Sequence, residues 1–446
     1  MNKDQAAELI KKLTSSSKHY SVVNIVGREE AVTRFAKSSI SQNVNLSDIS
    51  VSLTMYDDKK EVTCTTNALD DSGLKQLVDD TERLLYAAPE GEFTPFPLEI
   101  EEDNFSSNAS TCISSFDAKC RAEAIKEGVE KLPEGFISAG ALMLEKKLAA
   151  YGNSENSNIR FSTLDNVQFN TVTTHSISGA DGGGECISHQ IDEIRQNIPD
   201  TFAQAHERAA RGANPVTLNA GQYTVILSPV AMGDLMTFVI YSLCAKRVED
   251  GVSFYTPDIQ EAVFGSNITV KDDVNDPRIF PWPFDYEGHK RQSLSLIEKG
   301  AVKNILHDNK TAQRMNMSLT GHAISNKGLG GLSFHTVMDG GDKSLEEIIQ
   351  DTSQGIFISE LHYTNFVNPR ALQITGLTRN GTFLIENGKL SNAVKTLRFT
   401  QNLIEALNSV TALSLEQTKV ISSWGSFAGG WAALMPAVRI EKFNFQ

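Results

Sequence analysis

Gln222-Tyr223-Thr224-Val225-Ile226-Leu227-Ser228-Pro229-Val230-Ala231-Met232-Gly233-Asp234-Leu235-Met236-Thr237-Phe238-Val239-Ile240-Tyr241-Ser242-Leu243-Cys244 is the run on which the architecture turns. Residues 222–227 are β-branched and aromatic enough for a strand. Pro229 suits the first position of a helix, and the helix is predicted to continue to about Arg247. Its apolar residues lie all round the helix instead of on one stripe, so it belongs inside a core or an interface. The longest apolar stretch, Leu235 to Ala245, is 11 residues. A membrane span needs about 20, so no membrane association is expected. Asp234 has two readings: a surface acid favoured by the helix dipole in the first turn, which is preferred, or a polar contact across an interface.

Working outward, a second unit is predicted to begin near Pro215. From 280 onward the texture is mostly strands. Ser293–Glu298 and Val302–His307 flank Lys299-Gly300, and Thr382–Glu386 and Leu390–Val394 flank Asn387-Gly388, the strongest short hairpin signal. A helix near 344–351 interrupts, and Ala433–Phe443 reads as a closing strand. Toward the N-terminus, residues 4–15 and 71–87 have helical spacing. Tyr20–Ile25 and Ala31–Ala36 read as separate strands, and Ile49–Met55 and Glu61–Thr66 as a hairpin. Pro89, Pro95 and Pro97 among six acids mark an acidic connector over 88–104. Asp117–Leu132 reads as a helix. Gly135–Tyr151 and Ile159–Thr174 read as paired strands, and 201–211 as a helix capped by Asp200. The fold class is therefore α+β. Residues 1–214 form a sandwich-like unit of antiparallel sheet and helices, and 215–446 a mostly-β curled sheet or pseudo-barrel.

Length and charge narrow the function. The 446 residues allow several domains. Lys plus Arg number 41 against 55 Asp plus Glu, a net charge of −14. A surface this acidic repels phosphate backbones and no dense basic run offsets it, so no nucleic-acid partner is expected. The start, Met1-Asn2-Lys3-Asp4-Gln5, lacks the basic and apolar pattern of a signal peptide, and a cytoplasmic location is expected. Five scattered cysteines without a C-x-x-C pair support neither a disulfide framework nor a zinc ribbon.

The local chemistry is sparse. No two of the nine histidines lie three to five residues apart, so a helical zinc motif is absent. Gly182-Gly183-Gly184-Glu185 lacks the lysine of a phosphate loop and reads as a flexible loop or bulged strand. Gly328-Leu329-Gly330-Gly331 reads as a turn. Gly425-Ser426-Phe427-Ala428-Gly429 puts its serine second of five, unlike a nucleophile elbow.

Four stretches carry a resemblance. They are Tyr223–Leu227 through Gly233-Asp234-Leu235; Phe284-Asp285-Tyr286-Glu287-Gly288 with the hairpin through His307; Leu319-Thr320-Gly321-His322-Ala323; and Val367-Asn368-Pro369-Arg370 with Thr375 to Gly388. On these the chain resembles the TldD/TldE (PmbA) metallopeptidase-related family, most strongly over 222–446. In the catalytic members this helix carries H-E-x-x-x-H. The two histidines bind zinc, the glutamate is the expected base, and a cysteine near the C-terminus is the third ligand. The resemblance puts Thr237, Phe238 and Ser242 at the His, Glu and His positions and places the cysteine position near Trp424. The sequence has no cysteine after Cys244. Hydroxyls are poor zinc ligands and a phenyl ring accepts no proton.

What the resemblance implies is a TldE-like, non-catalytic chain with no cofactor of its own. Its partner would be a TldD-like subunit holding the zinc, in a heterodimer whose cavity admits extended or modified peptides. The family's duties include peptide maturation, such as leader removal, and cleavage of related amide conjugates. His322 and Trp424 are candidates for lining that cavity. Two other readings stay open. One is a self-sufficient hydrolase with a relocated site, in which His322 clusters with His335 or His362. The other is a stand-alone peptide-binding scaffold, perhaps a homodimer, that holds extended chains at a sheet edge.

Overall fold

Two sheets divide the secondary structure of the computed structural model, which describes residues 1–91, 98–100, 115–259, 261–280, 282–324, 328–421 and 433–446. The first sheet has six strands in the order β3-β2-β1-β4-β5-β6. Their ranges are β1 Tyr20–Ala36, β2 Ser39–Asp57, β3 Lys60–Thr66, β4 Phe136–Asn153, β5 Arg160–His175 and β6 Asp181–Ser188. All neighbours are antiparallel. Helices α1 (Lys3–Thr14), α2 (Asp71–Ala87), α3 (Ala118–Glu130) and α4 (Ile191–Arg211) accompany it. One core joins Ile10 and Leu13 of α1 and Leu74, Leu77 and Leu85 of α2 to Val23, Ile25 and Leu53. A second joins Ile125 of α3 and Ile194, Ile198 and Phe202 of α4 to Phe35, Leu142 and Phe169.

The structure corrects the sequence reading here in three places. The two expected strands over 20–36 are one strand of 17 residues. The polar interruption at 26–30 stays in the ladder because Gly27 lets Leu148 pack close, and Arg28 pairs with Glu30 and Glu145 at 2.7 Å each. Its partner β2 runs 19 residues, the first half exposed and polar, held by backbone pairing that leaves no hydrophobic alternation. Helix α4 starts at Ile191, not 201, and runs through Pro199. Its buried stripe Ile194, Ile198, Phe202, Ala205 and Ala209 outweighs one missing hydrogen bond. Residues 98–100 of the expected connector are pinned, since Asn153 donates to the Leu98 carbonyl and Asn158 to that of Ile100, both at 2.9 Å.

The second sheet has eleven strands. They are β7 (Gly221–Leu227), β8 (Val270–Asp272), β9 (Leu294–Glu298), β10 (Ala301–Val302), β11 (Thr336–Met338), β12 (Gln354–Asn368), β13 (Gln373–Glu386), β14 (Lys389–Ala393), β15 (Arg398–Asn402), β16 (Val410–Val420) and β17 (Ala433–Phe445). The sheet curls until it closes. Strand β7 pairs with β12 in parallel and with β17 antiparallel, while β12–β13, β13–β15 and β15–β17 complete the circuit. Both predicted hairpins are present, at Lys299-Gly300 and Asn387-Gly388, with positive φ at all four residues as two-residue turns require.

The apolar helix α5 (Pro229–Ser242) packs against β12, β16 and β17. Ten of its fourteen residues are buried, which is why it is apolar all round. It ends at Ser242, short of the predicted Arg247, and the short α6 (Ala245–Glu249) follows after Leu243-Cys244. A mixed cluster, including Tyr151 and Ile187 from the first sheet and Phe280, Trp282, Phe284 and Phe334 from the second half, joins the two sheets. No helix among the described residues is long and apolar enough to cross a membrane.

Candidate functional site

Ser228 caps α5. Its hydroxyl accepts from the Ala231 amide at 3.2 Å and donates to the Ser359 carbonyl at 2.5 Å, tying the helix start to β12. Farther along, the three positions singled out in the sequence are each committed to the helix or the core. Thr237 donates to the Gly233 carbonyl and Ser242 to the Phe238 carbonyl, both at 2.9 Å. Phe238 is buried, its ring edge-on to Phe366 at 4.8 Å between centroids. These side chains do not fit a zinc ion. The hydroxyls are neutral and already hydrogen-bonded, and a phenyl ring neither binds metal nor moves a proton. Among the described residues no three His, Cys, Asp or Glu side chains are grouped to hold a metal.

Asp234, one turn earlier, is buried, so the reading as a surface acid fails. Its charge, with that of Glu360 on β12, acts on Glu185 of β6. Burial above all, then Glu360 and Asp234, pushes the Glu185 carboxyl up to about 8, against a hydrogen bond from the Ile421 amide. Glu360 is itself raised by burial, opposed by Asn380 and Arg208. Asn380 Nδ2 donates to Glu360 Oε2 at 2.6 Å, and Arg208 Nη1 donates to the Gly183 carbonyl at 2.7 Å.

The glycine run explains how these groups meet. Gly182, Gly183 and Gly184 form a regular strand opposite Thr173, Val172 and Thr171, neither a loop nor a bulge. A Cβ on Gly182 would lie 2.1 Å from the Ala205 carbonyl oxygen of α4, and one on Gly183 would lie 2.0 Å from Glu360 Oε1. The bare backbone is what lets α4 and β12 both lie against β6.

His322 is wholly buried, in a polar cluster around Asp272. Asp272 Oδ1 accepts from Arg291 at 2.6 Å; Oδ2 accepts from the Ser333 hydroxyl at 2.7 Å and from the Phe334 and His335 amides at 2.8 and 3.1 Å. His322 Nε2 stands 3.5 Å from the same carboxylate, and His335 Nδ1 3.8 Å. Burial would raise Asp272, but Arg291 and then His322 outweigh it and hold the carboxyl well below its ordinary range. Burial and Arg291 keep His335 below the usual histidine value. The fold thus brings His322 and His335 together. His362 sits elsewhere on β12, accepting from Arg379 at 2.6 Å. Trp424 and Gly425–Gly429 lie outside the described residues.

A cleft of about 700 Å³ opens where the start of β6 and the end of α4 meet β12 and β13, and Arg208, His362, Arg379 and Asn380 are among its walls. Sequence reasoning missed Glu185, Glu360, Arg208 and the role of Asn380. The one local signal was a glycine run ending in an acid, and the partners are 23 to 195 residues away.

Residues 220–446 match the model of the PmbA/TldA metallopeptidase C-terminal domain. A metalloprotease of Methanocaldococcus jannaschii is 28% identical over 230 residues, 50% of each chain. The zinc metalloprotease TldD homolog of Saccharolobus solfataricus is 25% identical over 248 residues, 52% of this chain and 53% of its own. The chain spans about half the length of the curated relatives it matches. Among solved structures, TldE from Thermococcus kodakarensis superposes with a TM-score of 0.80 at 17% identity, over 99% of both chains. A candidate modulator of a DNA gyrase from Thermotoga maritima reaches 0.85 at 17%, over 100% of both. At these identities the likeness is one of fold.

Proposed function

The chain belongs to the PmbA/TldD metallopeptidase family, and on that premise we propose that it is a TldE-like, non-catalytic subunit of a TldD/TldE-type zinc peptidase. In this reading a TldD-like partner carries the zinc and the base in a heterodimer. The present chain forms part of the wall around extended or modified peptides. The observation that carries it is the state of α5. Thr237, Phe238 and Ser242 are not merely different residues but are each tied into the helix or the core. The role is compatible with the resemblance to a TldE structure over nearly the whole chain.

The test is co-expression with an H-E-x-x-x-H chain of the same source. The two chains should co-purify as a stable pair, and the pair should cleave extended peptides that neither chain cleaves alone. Elemental mass spectrometry of this chain, after incubation with zinc and desalting, should give zinc near zero per chain. Zinc near one per chain, or cleavage by the chain alone, would overturn the proposal in favour of a self-contained hydrolase. Peptide binding with no partner and no hydrolysis would favour a scaffold.

A further inference from the structure

The cleft between β6, α4, β12 and β13 is cationic on a molecule of net charge −14. Among the described residues, Arg208, Arg379 and Lys395 line it against one carboxylate, Asp181. Arg208 lies deepest, its side chain 14% exposed, with Glu360 3.9 Å away and the Gly183 carbonyl holding one end of its fork. Arg379 and Lys395 are exposed, and Arg379 is oriented by its hydrogen bond to His362.

The backbone is built around this opening. Ile358 pairs with Thr382 and Glu360 with Arg379, so Asn380 and Gly381 face Ser359 alone. His362 pairs with Leu377 and Asn365 with Thr375, so Tyr363 and Thr364 face Gly376 alone. Each bulge puts a non-glycine residue in the left-handed region, Asn380 at φ 53° and Tyr363 at φ 51°. Such conformations are unfavourable for a bulky side chain such as Tyr363, and bulges that hold them concentrate where a fold holds ligands. The second bulge sends Tyr363 outward, 78% exposed, its ring 4.1 Å from that of His362 at the rim. On the other side of β13, the chain leaves the sheet between β14 and β15. Lys395 donates its amide to the Val216 carbonyl at 3.0 Å instead of to β13. The cleft fills that gap.

We propose that this cleft binds the free carboxylate at the end of a peptide or of a small acylated amino acid. Arg208 would lie beneath the carboxylate and Arg379 and Lys395 at its mouth. A guanidinium fork suits a planar carboxylate. Leu377 and the Tyr363 ring supply apolar surface for the neighbouring side chain. Three cations against Asp181, with Glu360 behind Arg208, balance a single negative charge better than a phosphate dianion. The volume, about 700 Å³, is that of sites that enclose small ligands. The site is complete in one chain and does not rest on a catalytic partner.

Isothermal titration of the full chain with N-acetyl-phenylalanyl-leucine, its C-terminal amide and inorganic phosphate tests this. The acid should bind, the amide should bind at least ten-fold more weakly, and phosphate should not displace the acid at matched concentration. Arg379→Gln with Lys395→Gln, both at exposed positions, should weaken the acid at least ten-fold with the melting temperature unchanged. No binding of the acid, equal binding of acid and amide, full affinity in the double variant, or displacement by phosphate would each overturn the proposal. Because the readout is binding by the single chain, such a failure would leave cleavage by the co-purified pair as a separate question.

Discussion

Glu185→Gln removes one of three carboxyl groups gathered at the junction of the two sheets and keeps an oxygen to accept from the Ile421 amide. The folded carboxyl titrates at about 8, raised by burial, Glu360 and Asp234 from an ordinary value of 4.5. Below pH 4.5 the group is protonated in both states and contributes no difference. Between 4.5 and about 8 the unfolded chain releases the proton while the folded chain keeps it, so stability falls as pH rises; above 8 the loss is complete. At about 1.4 kcal/mol per pH unit, the limit is about 5 kcal/mol. Glu185 retains partial solvent contact, and screening reduces the working figure to about 2 kcal/mol. Urea unfolding of both proteins at about pH 5, 6.5 and 8.5, at constant ionic strength, should show the variant gaining on the wild type at each step. Comparing the two cancels the titration of groups remote from Glu185. A difference between variant and wild type that does not change with pH, or that shrinks as pH rises, would refute the reasoning.

Asp272→Asn should cost about 3–5 kcal/mol in urea unfolding, because it leaves the buried Arg291 guanidinium without its counter-charge. Replacing both, Asp272→Asn with Arg291→Met, should cost less than the single change, because no unpaired charge is left and the amide oxygen still accepts from Ser333, Phe334 and His335. Gly182→Ala should cost about 2 kcal/mol or more by thermal melting, since its methyl meets backbone atoms of α4 that cannot yield. Phe238→Glu should cost about 3 kcal/mol or more by the same assay and confer no zinc binding, as it puts a carboxylate in a ring-packed site where, among the described residues, no three metal-ligating side chains are grouped.

Much of the fold is legible because it is written locally. Asn387-Gly388 and Lys299-Gly300 carry their own turn chemistry. Ser344 and Glu347 form a capping box that starts the short helix Leu345–Gln350 where it was expected. Long polar strands are not legible this way. The first half of β2 has no hydrophobic period, and only pairing with β1 makes it a strand. The turn that joins them, Lys37-Ser38, has positive φ at both residues without an asparagine or glycine to announce it. Asp200 misplaced the start of α4 for the converse reason: a residue suited to capping lies inside the helix, which runs from Ile191 through Pro199 on a buried stripe that only packing reveals.

By itself the sequence determined that the helix after β7 is buried, since no other environment accepts a helix apolar on every face. It also determined that Thr237, Phe238 and Ser242 of this helix offer neither a zinc ligand nor a base, because side-chain identity needs no coordinates. Tertiary structure alone decided what lies next to what. It placed His322 and His335 on Asp272, seated Glu185 against Glu360 and Asp234, and opened a cationic cleft beside them. These groups come from separate strands and helices. Burial and charge act through space, so the Asp272 cluster exists only once the second half has folded, and the Glu185 group and the cleft only once the second sheet lies against the first.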